Sequence, residues 1–231
     1  MIKNPKTNDF DISKMKIIAV IPAHNEEKYI KDVITQTKKY VNQVIVVDDA
    51  SKDNTSQLAK QAGAIVLRHV VNLKKGSALK TGCEGAIMLG ADAIILLDAD
   101  GQHDPNEIPM IIEKLNKYEL VIGAREFDKT MPIQAKAGNI FLSKLANFLF
   151  GSKVSDTQTG YRAFRTSIYP KIVWNSSDYG VETEMLKNIK KHNLAHTEVK
   201  VKTIYNDNYK GTTPLDGIKI ALNMLQWRIK Q

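Results

Sequence analysis

The chain has 231 residues, of which 43% are hydrophobic and 25% charged, a balance that supports a sizeable buried core and excludes a disordered or collagen-like polypeptide. Its single cysteine, Cys83, excludes an internal disulfide framework and a multi-cysteine zinc site and fits a reducing compartment. The 33 Lys+Arg against 25 Asp+Glu give a formal net charge of +8, which suits nucleic acid, an anionic membrane surface or a phosphorylated substrate, or simply a lysine-rich solvated exterior.

Apolar runs such as IIAVI and AIILL fall far short of the ~20 residues a membrane span requires, and the opening MIKNPKTNDFDISK has no signal-peptide core, so a cytoplasmic body is expected. From Lys16 onward, short β-branched runs alternate with helical patterns, the signature of βαβ units and a mostly parallel sheet. Strands are predicted near 16–21, 43–47, 64–68, 93–97 and 119–123, with helices near 26–40, 54–62, 76–89 and 105–117 between them. Asn25 is expected to cap the first helix, Gly63 and Gly90 to stop the second and third, and Pro105 to sit in the first turn of the fourth. An apolar helix follows near 133–150, then a polar turn, a strand at 160–165, a helix near 180–192, a strand at 196–203 and a last helix from 214 to 230. No Ser/Gly/Pro linker or internal repeat divides the chain. One domain over 16–231 is expected, preceded by an extension at 1–15.

In such sheets ligands collect at the carboxyl ends of the strands. The first strand runs into PAHNEE, Pro22 to Glu27, which lacks the glycine-rich turn of dinucleotide-binding and P-loop proteins and argues against a dehydrogenase or an NTPase. The second ends in Asp48 and Asp49, whose carboxylates can accept from ribose hydroxyls or a base N–H. The fourth gives AIILLDADGQHDP, with Asp98 and Asp100 directly after an apolar run. Side chains two apart on an extended chain share a side, so both carboxylates can converge on one hard cation, Mg²⁺ or Mn²⁺, with Gln102 as a neutral oxygen donor and His103 in support. Two aspartates beginning a turn are the plainer reading of that dipeptide spacing alone. His69, His192 and His196 lack metal-ligand spacing, and Cys83 falls in an apolar helical pattern.

PAHNEE, VVDDAS, DADGQHDP and GAR, in this order at four successive strand ends, resemble glycosyltransferase family 2, and most closely its dolichyl-phosphate (polyprenyl-phosphate) sugar synthase branch. The resemblance spans about residues 16–205. It implies a GT-A fold, an α/β architecture with a Rossmann-like, mostly parallel sheet, divided into a nucleotide-sugar half (16–125) and an acceptor half (126–231). Pro22, His24 and Glu26 would lie near the nucleotide, Val47 and Asp49 at its base and ribose, and Asp98, Ala99, Asp100 and Gln102 around the metal and diphosphate. Arg125 and Ser143 would meet the acceptor phosphate, and DTQTGYR, Asp156 to Arg162, would form the acceptor-side turn and strand. Some positions depart from the family pattern. Asn139 stands where a second phosphate-binding arginine is common, with Lys136 one turn earlier. The usual Gly-Lys-Gly reads Lys74, Lys75, Gly76, and the downstream basic segment is represented by Lys210.

The implied reaction moves a sugar from a UDP- or GDP-sugar to a polyprenyl phosphate, with no role for nucleic acid. A metal on Asp98 and Asp100 would neutralise the departing diphosphate. A phosphate monoester, with a second pKa of about 6, needs no base, and in-line attack inverts the anomeric centre. An anionic acceptor beside an anionic donor calls for cations such as Arg125, Arg162 and Lys210. Two other functions fit the same sequence. A glycan or soluble hydroxyl acceptor would need a carboxylate base, for which Asp156 is a candidate, and a non-catalytic nucleotide-binding scaffold would bind without turnover. The helices near 133–150 and 214–230 are amphipathic, and either can lie on an anionic membrane or simply pack into the core.

Overall fold

The computed structural model describes residues 11–126, 133–152, 154–204 and 213–229. Seven strands form one sheet: β1 Ile17–Ala23, β2 Gln43–Asp48, β3 Ile65–Arg68, β4 Ala93–Leu96, β5 Leu120–Arg125, β6 Arg162–Arg165 and β7 His196–Val201. Their order is β3-β2-β1-β4-β6-β5-β7. Every pairing is parallel except those of β6, which runs antiparallel between β4 and β5. That inserted strand hydrogen-bonds β4 on one side and β5 on the other, linking them into one continuous sheet.

The eight helices assigned among the described residues are α1 Ile30–Thr37, α2 Thr55–Gln61, α3 Lys75–Met88, α4 Ile108–Glu113, α5 Ile133–Phe150, α6 Tyr169–Ile172, α7 Val181–Lys191 and α8 Pro214–Ile229. Alternate residues of each strand feed opposite layers. Ile18, Val20, Ile45 and Val47 pack with α3, α6 and α7, whereas Ile17, Ala19, Ile21 and Val46 pack with α1, α2 and α4. Both faces are covered, which is why the strands read as unbroken apolar runs. Cys83 is fully buried in the first layer, and burial pushes its thiol pKa well up, leaving it unreactive. A third cluster, Leu142, Ala146 and Phe150 against Ile220 and Met224, pairs α5 with α8.

Gly63 and Gly90 take positive φ values of 83° and 74° and end their helices as expected. Asn25 does not cap the first helix. Its backbone is left-handed, at φ 56°; its amide N–H donates to Ser51 Oγ, its side-chain oxygen accepts from Lys52 N, and α1 starts five residues later. The residue that tolerates a left-handed turn ties β1's end to β2's end. The helix expected over 105–117 is broken into a 3-10 turn at Pro105–Glu107, α4, and another turn at Lys114–Asn116; Pro109, one turn in, cannot donate a main-chain hydrogen bond. The short helix α6 has no counterpart in the sequence expectations.

Candidate active site

The loops after β1, β2, β4 and β5 meet at one end of the sheet. After β1, His24 Nδ1 donates to the Asp49 carbonyl oxygen (2.8 Å), so that nitrogen carries the proton, and Asn25 Nδ2 lies 3.1 Å from Nε2. Pro22 is half-buried and Glu26 buried, with the Glu26 amide donating to Thr55 Oγ1. Val47 is fully buried beneath the loop. Asp48 and Asp49 both face inward, with different tasks. Asp48 accepts from Ser51 N, Ser56 Oγ and Arg68 Nη1; burial would raise its pKa, but these donors outweigh it and hold the carboxyl low. Asp49 accepts from Leu73 N and Lys74 N (both 2.8 Å) and from His69 Nδ1. It therefore anchors the loop between β3 and α3, while His69 spans to Thr81 Oγ1.

After β4, the alternation carries Asp98 and Asp100 to the mouth, with Ala99 buried between them. Asp98 is paired with the Lys75 ammonium at 2.8 Å. Burial would raise the Asp98 pKa, but Lys75, His103 and Arg125 together hold it below the usual carboxylate range. Asp100 is pushed up to about 6, by burial first and by the Asp98 charge second. Gln102 braces it, donating from its backbone N–H (3.0 Å) and from Nε2 (2.8 Å). His103 accepts the Asp98 amide at Nδ1 and stacks on Tyr161. Burial lowers its pKa to about 4, so the ring is neutral and supports the turn.

Among the described residues no three His, Cys, Asp or Glu side chains gather into an all-protein metal cage. Two carboxylates and an amide form a partial set of hard oxygen donors, which fits Mg²⁺ or Mn²⁺, since these ions keep water and phosphate oxygens as their remaining ligands. A protein ammonium already stands against Asp98, so the site is built to hold positive charge. Gly160 leaves room beside it, because a Cβ there would fall 3.0 Å from Asp98 Oδ2.

On the other side, Arg125 at the end of β5 forms a two-point pair with buried Asp156, Nε to Oδ2 at 2.6 Å and Nη2 to Oδ1 at 3.0 Å. Burial would raise the Asp156 pKa, but the Arg125 hydrogen bonds and charge more than reverse it. Ser143 of α5 accepts from Thr157 N (3.1 Å) and touches Thr157 Oγ1 (3.2 Å). Arg125 and Ser143 are therefore held by adjacent residues of one turn. Asn139 is buried on the same helix.

Arg162 does not join them. It is fully buried, and its guanidinium donates to the main-chain carbonyls of Thr159, Thr157 and Glu182. Burial lowers its pKa to about 10 despite nearby Glu182 and Asp156. Where the resemblance implies that Arg162 meets the acceptor, the structure places it by its alternation along β6 in the layer under α7, fastening the turn of Thr157 and Thr159. Lys210 lies outside the described residues. Sequence reasoning also passed over Glu182, which pairs with Lys75. The signal was present, because Glu182, Met185, Leu186 and Ile189 follow i, i+3, i+4, i+7 spacing and place an acid on the buried face of α7.

A sequence profile described as Glycosyl transferase family 2 matches residues 18–173. The chain belongs to glycosyltransferase family 2. It is 36% identical to an uncharacterised protein of Methanocaldococcus jannaschii, over 99% of both chains. It is equally similar, at 36%, to the UDP-N-acetylglucosamine–dolichyl-phosphate N-acetylglucosaminyltransferase of Methanococcus voltae, covering 92% of this chain and 96% of that one. The undecaprenyl-phosphate mannosyltransferase of Micrococcus luteus is 28% identical, over 74% and 76%. Among solved structures, glucosyl-3-phosphoglycerate synthase from Mycobacterium tuberculosis, in a complex with Mn²⁺, UDP and glucosyl-3-phosphoglycerate, superposes with a TM-score of 0.72 at 21% identity. The match covers 94% of this chain and 80% of that one. The fold of this glycosyltransferase is therefore GT-A, as its motifs imply.

Proposed function

We propose that this family 2 glycosyltransferase moves a sugar from a UDP- or GDP-sugar to a polyprenyl (dolichyl) phosphate with inversion, using Mg²⁺ or Mn²⁺ on Asp98, Asp100 and Gln102. One observation carries the choice of acceptor. A hydroxyl acceptor needs a carboxylate to take its proton, but Asp156 is buried, chelated by Arg125 and held in its weakly basic form. A phosphate acceptor arrives ionised and needs a cation instead. Arg125, fixed by Asp156 and close enough to lower the Asp98 pKa, supplies one beside the donor. The polyprenyl-phosphate relatives support the same reading.

In this reading residues 16–125 bind the donor and 126–231 the acceptor. Pro22, His24, Glu26, Val47 and Asp49 shape the nucleotide pocket, Asp49 through the loop it anchors. Asp98, Asp100 and Gln102 would hold the divalent cation, which would supply electrostatic stabilisation to the leaving diphosphate. Ala99, between the two aspartates in sequence, is buried in the opposite apolar layer. Ser143 and Arg125 orient the acceptor oxygen, with Lys210 as a further cation. The lipid is reached from a peripheral position on the cytoplasmic face of an anionic membrane; no helix among the described residues is long and apolar enough to cross one.

The experiment offers labelled UDP- and GDP-sugars with Mn²⁺ and a short-chain polyprenyl phosphate and follows label into an organic-extractable, mild-acid-labile product. The expected result is transfer from one nucleotide class. Asp100→Ala is expected to reduce it at least about a hundredfold with an unchanged circular dichroism spectrum. Label appearing only in a water-soluble glycan would overturn the lipid acceptor, and full transfer by Asp100→Ala would overturn the metal assignment.

A further inference from the structure

Lys75 opens α3, Glu182 lies in the first turn of α7, and the two meet beside Asp98. The Lys75 ammonium is 2.8 Å from Asp98 Oδ1, 3.0 Å from Asp98 Oδ2 and 3.1 Å from Glu182 Oε1. One cation is thus divided between two carboxylates. On the Glu182 side, Oε1 is buried with the Lys75 ammonium as its charged partner. Glu182 itself cannot follow Lys75 far, because Arg162 Nη1 grips its main-chain carbonyl at 2.7 Å. Lys75 is the movable member, an ammonium on a flexible stem. The wall beside it is Gly160, where a Cβ would stand only 2.9 Å from Nζ.

Asp98 has two claimants if the metal reading above holds, and this inference rests on that reading. A divalent ion and an ammonium on one carboxylate repel each other strongly in a poorly solvated site. Lys75 would then compete for Asp98 or be expelled unpaired into the protein, which is costly for a buried charge. The Glu182 carboxylate, already within ion-pair distance of Lys75, offers a third course. We propose that Lys75 is a tethered counter-ion of Asp98 that passes to Glu182 when a divalent cation takes that carboxylate. Glu182 is the positioning residue that receives it. Before donor arrives, Asp98 is neutralised in place; afterwards Lys75 remains paired and at hand beside the diphosphate.

The test is an electron paramagnetic resonance titration of Mn²⁺ with the full chain, with and without UDP. Glu182→Gln strands Lys75 on Asp98 and is expected to weaken Mn²⁺ binding about tenfold or more, whereas the Lys75→Met/Glu182→Gln double variant, which removes competitor and receiver together, should return to within about threefold of wild type. A purely structural role for Glu182 predicts no such recovery. A crystal structure with Mn²⁺ and UDP separates the handover from a change in local field. Lys75 Nζ should stand beyond about 4 Å from Asp98 while staying within ion-pair distance of Glu182. Unchanged affinity in Glu182→Gln, a double variant as weak as the single, or Lys75 still on Asp98 beside bound Mn²⁺ each overturns the proposal. Wild-type protein that takes up no Mn²⁺ even with UDP overturns the metal reading itself, and the handover with it.

Discussion

Arg162 illustrates how a charged residue near a binding site can serve the fold instead. Its three acceptors are main-chain carbonyls of Thr157, Thr159 and Glu182, so it fastens the turn that carries Asp156 to the helix that carries Glu182. Hydrogen bonds from a charged donor are worth about 1.5–3 kcal/mol each, and stranded buried carbonyls add their desolvation. Arg162→Met is therefore expected to lower stability by more than about 3 kcal/mol, measured as a shift in urea midpoint at unchanged slope. Arg162→Lys should fare little better, since a single ammonium cannot span three acceptors fixed by a planar fork. Near-native stability in either variant would return Arg162 to the acceptor side. The sequence could not separate these roles, because alternation along a four-residue strand says which residues share a face and not which face is wet. Asp98 and Asp100 were legible for the opposite reason: five apolar residues before them fix where the strand must end. Glu182 is harder to see, because a charged residue in a helical pattern reads by default as part of the solvated face.

At the scale of elements, helix α3 is set by how closely it can approach the sheet. A Cβ on Gly82 would fall 2.3 Å from Val20 Cγ1 and 3.0 Å from Val47 Cγ2, and both valines are fully buried, stiff at χ1 and unable to yield. Gly82→Ala gains about 1 kcal/mol of helix propensity but overpacks the core at a cost of about 1–3 kcal/mol, so net destabilisation is expected. Gly138 in α5 is exposed and has nothing within 4 Å of its Cβ position. Gly138→Ala should therefore stabilise, by up to about 1 kcal/mol. Opposite signs in paired chemical denaturation curves would confirm that α3, which carries Lys75 at its first position, is placed by backbone contact. The strands and most helices were legible because unbroken β-branched runs and positive-φ glycines report local physics. The breaks in the helix around α4 and the late start of α1 were not. Pro109 acts against its own helix, and Asn25 spends its side-chain oxygen on the Lys52 amide across the sheet end, a tertiary bond that outweighs local capping.

For the whole molecule, the proposed polyprenyl-phosphate acceptor raises the question of how a chain with a net charge of +8 would meet a bilayer. The α5–α8 pair combines a packed face with an exposed one. One face of each helix packs against the other through Leu142, Ala146, Ile220 and Met224, and the outer faces leave Phe148 86%, Leu215 70%, Leu222 60% and Ile229 86% exposed. Lys144, Lys219 and Arg228 are exposed among them. Large side chains inserted into the interface each contribute up to about 1.5–3 kcal/mol, and cations near an anionic surface about 1 kcal/mol apiece. The same helix α5 turns Ser143 inward to the turn that holds Arg125, so docking on this face would bring the lipid phosphate to the acceptor side of the cleft. Phe148→Glu combined with Leu222→Glu is therefore expected to cut binding to vesicles of anionic lipid by at least about tenfold in a flotation assay. High salt should weaken the wild type only in part, because the apolar contribution is not screened. The decisive comparison is between acceptors: the double variant should lose transfer to polyprenyl phosphate embedded in vesicles while keeping transfer to a short-chain, water-soluble analogue. Equal flotation of variant and wild type, or equal loss with both acceptors, would mean that this face does not dock the enzyme on the bilayer.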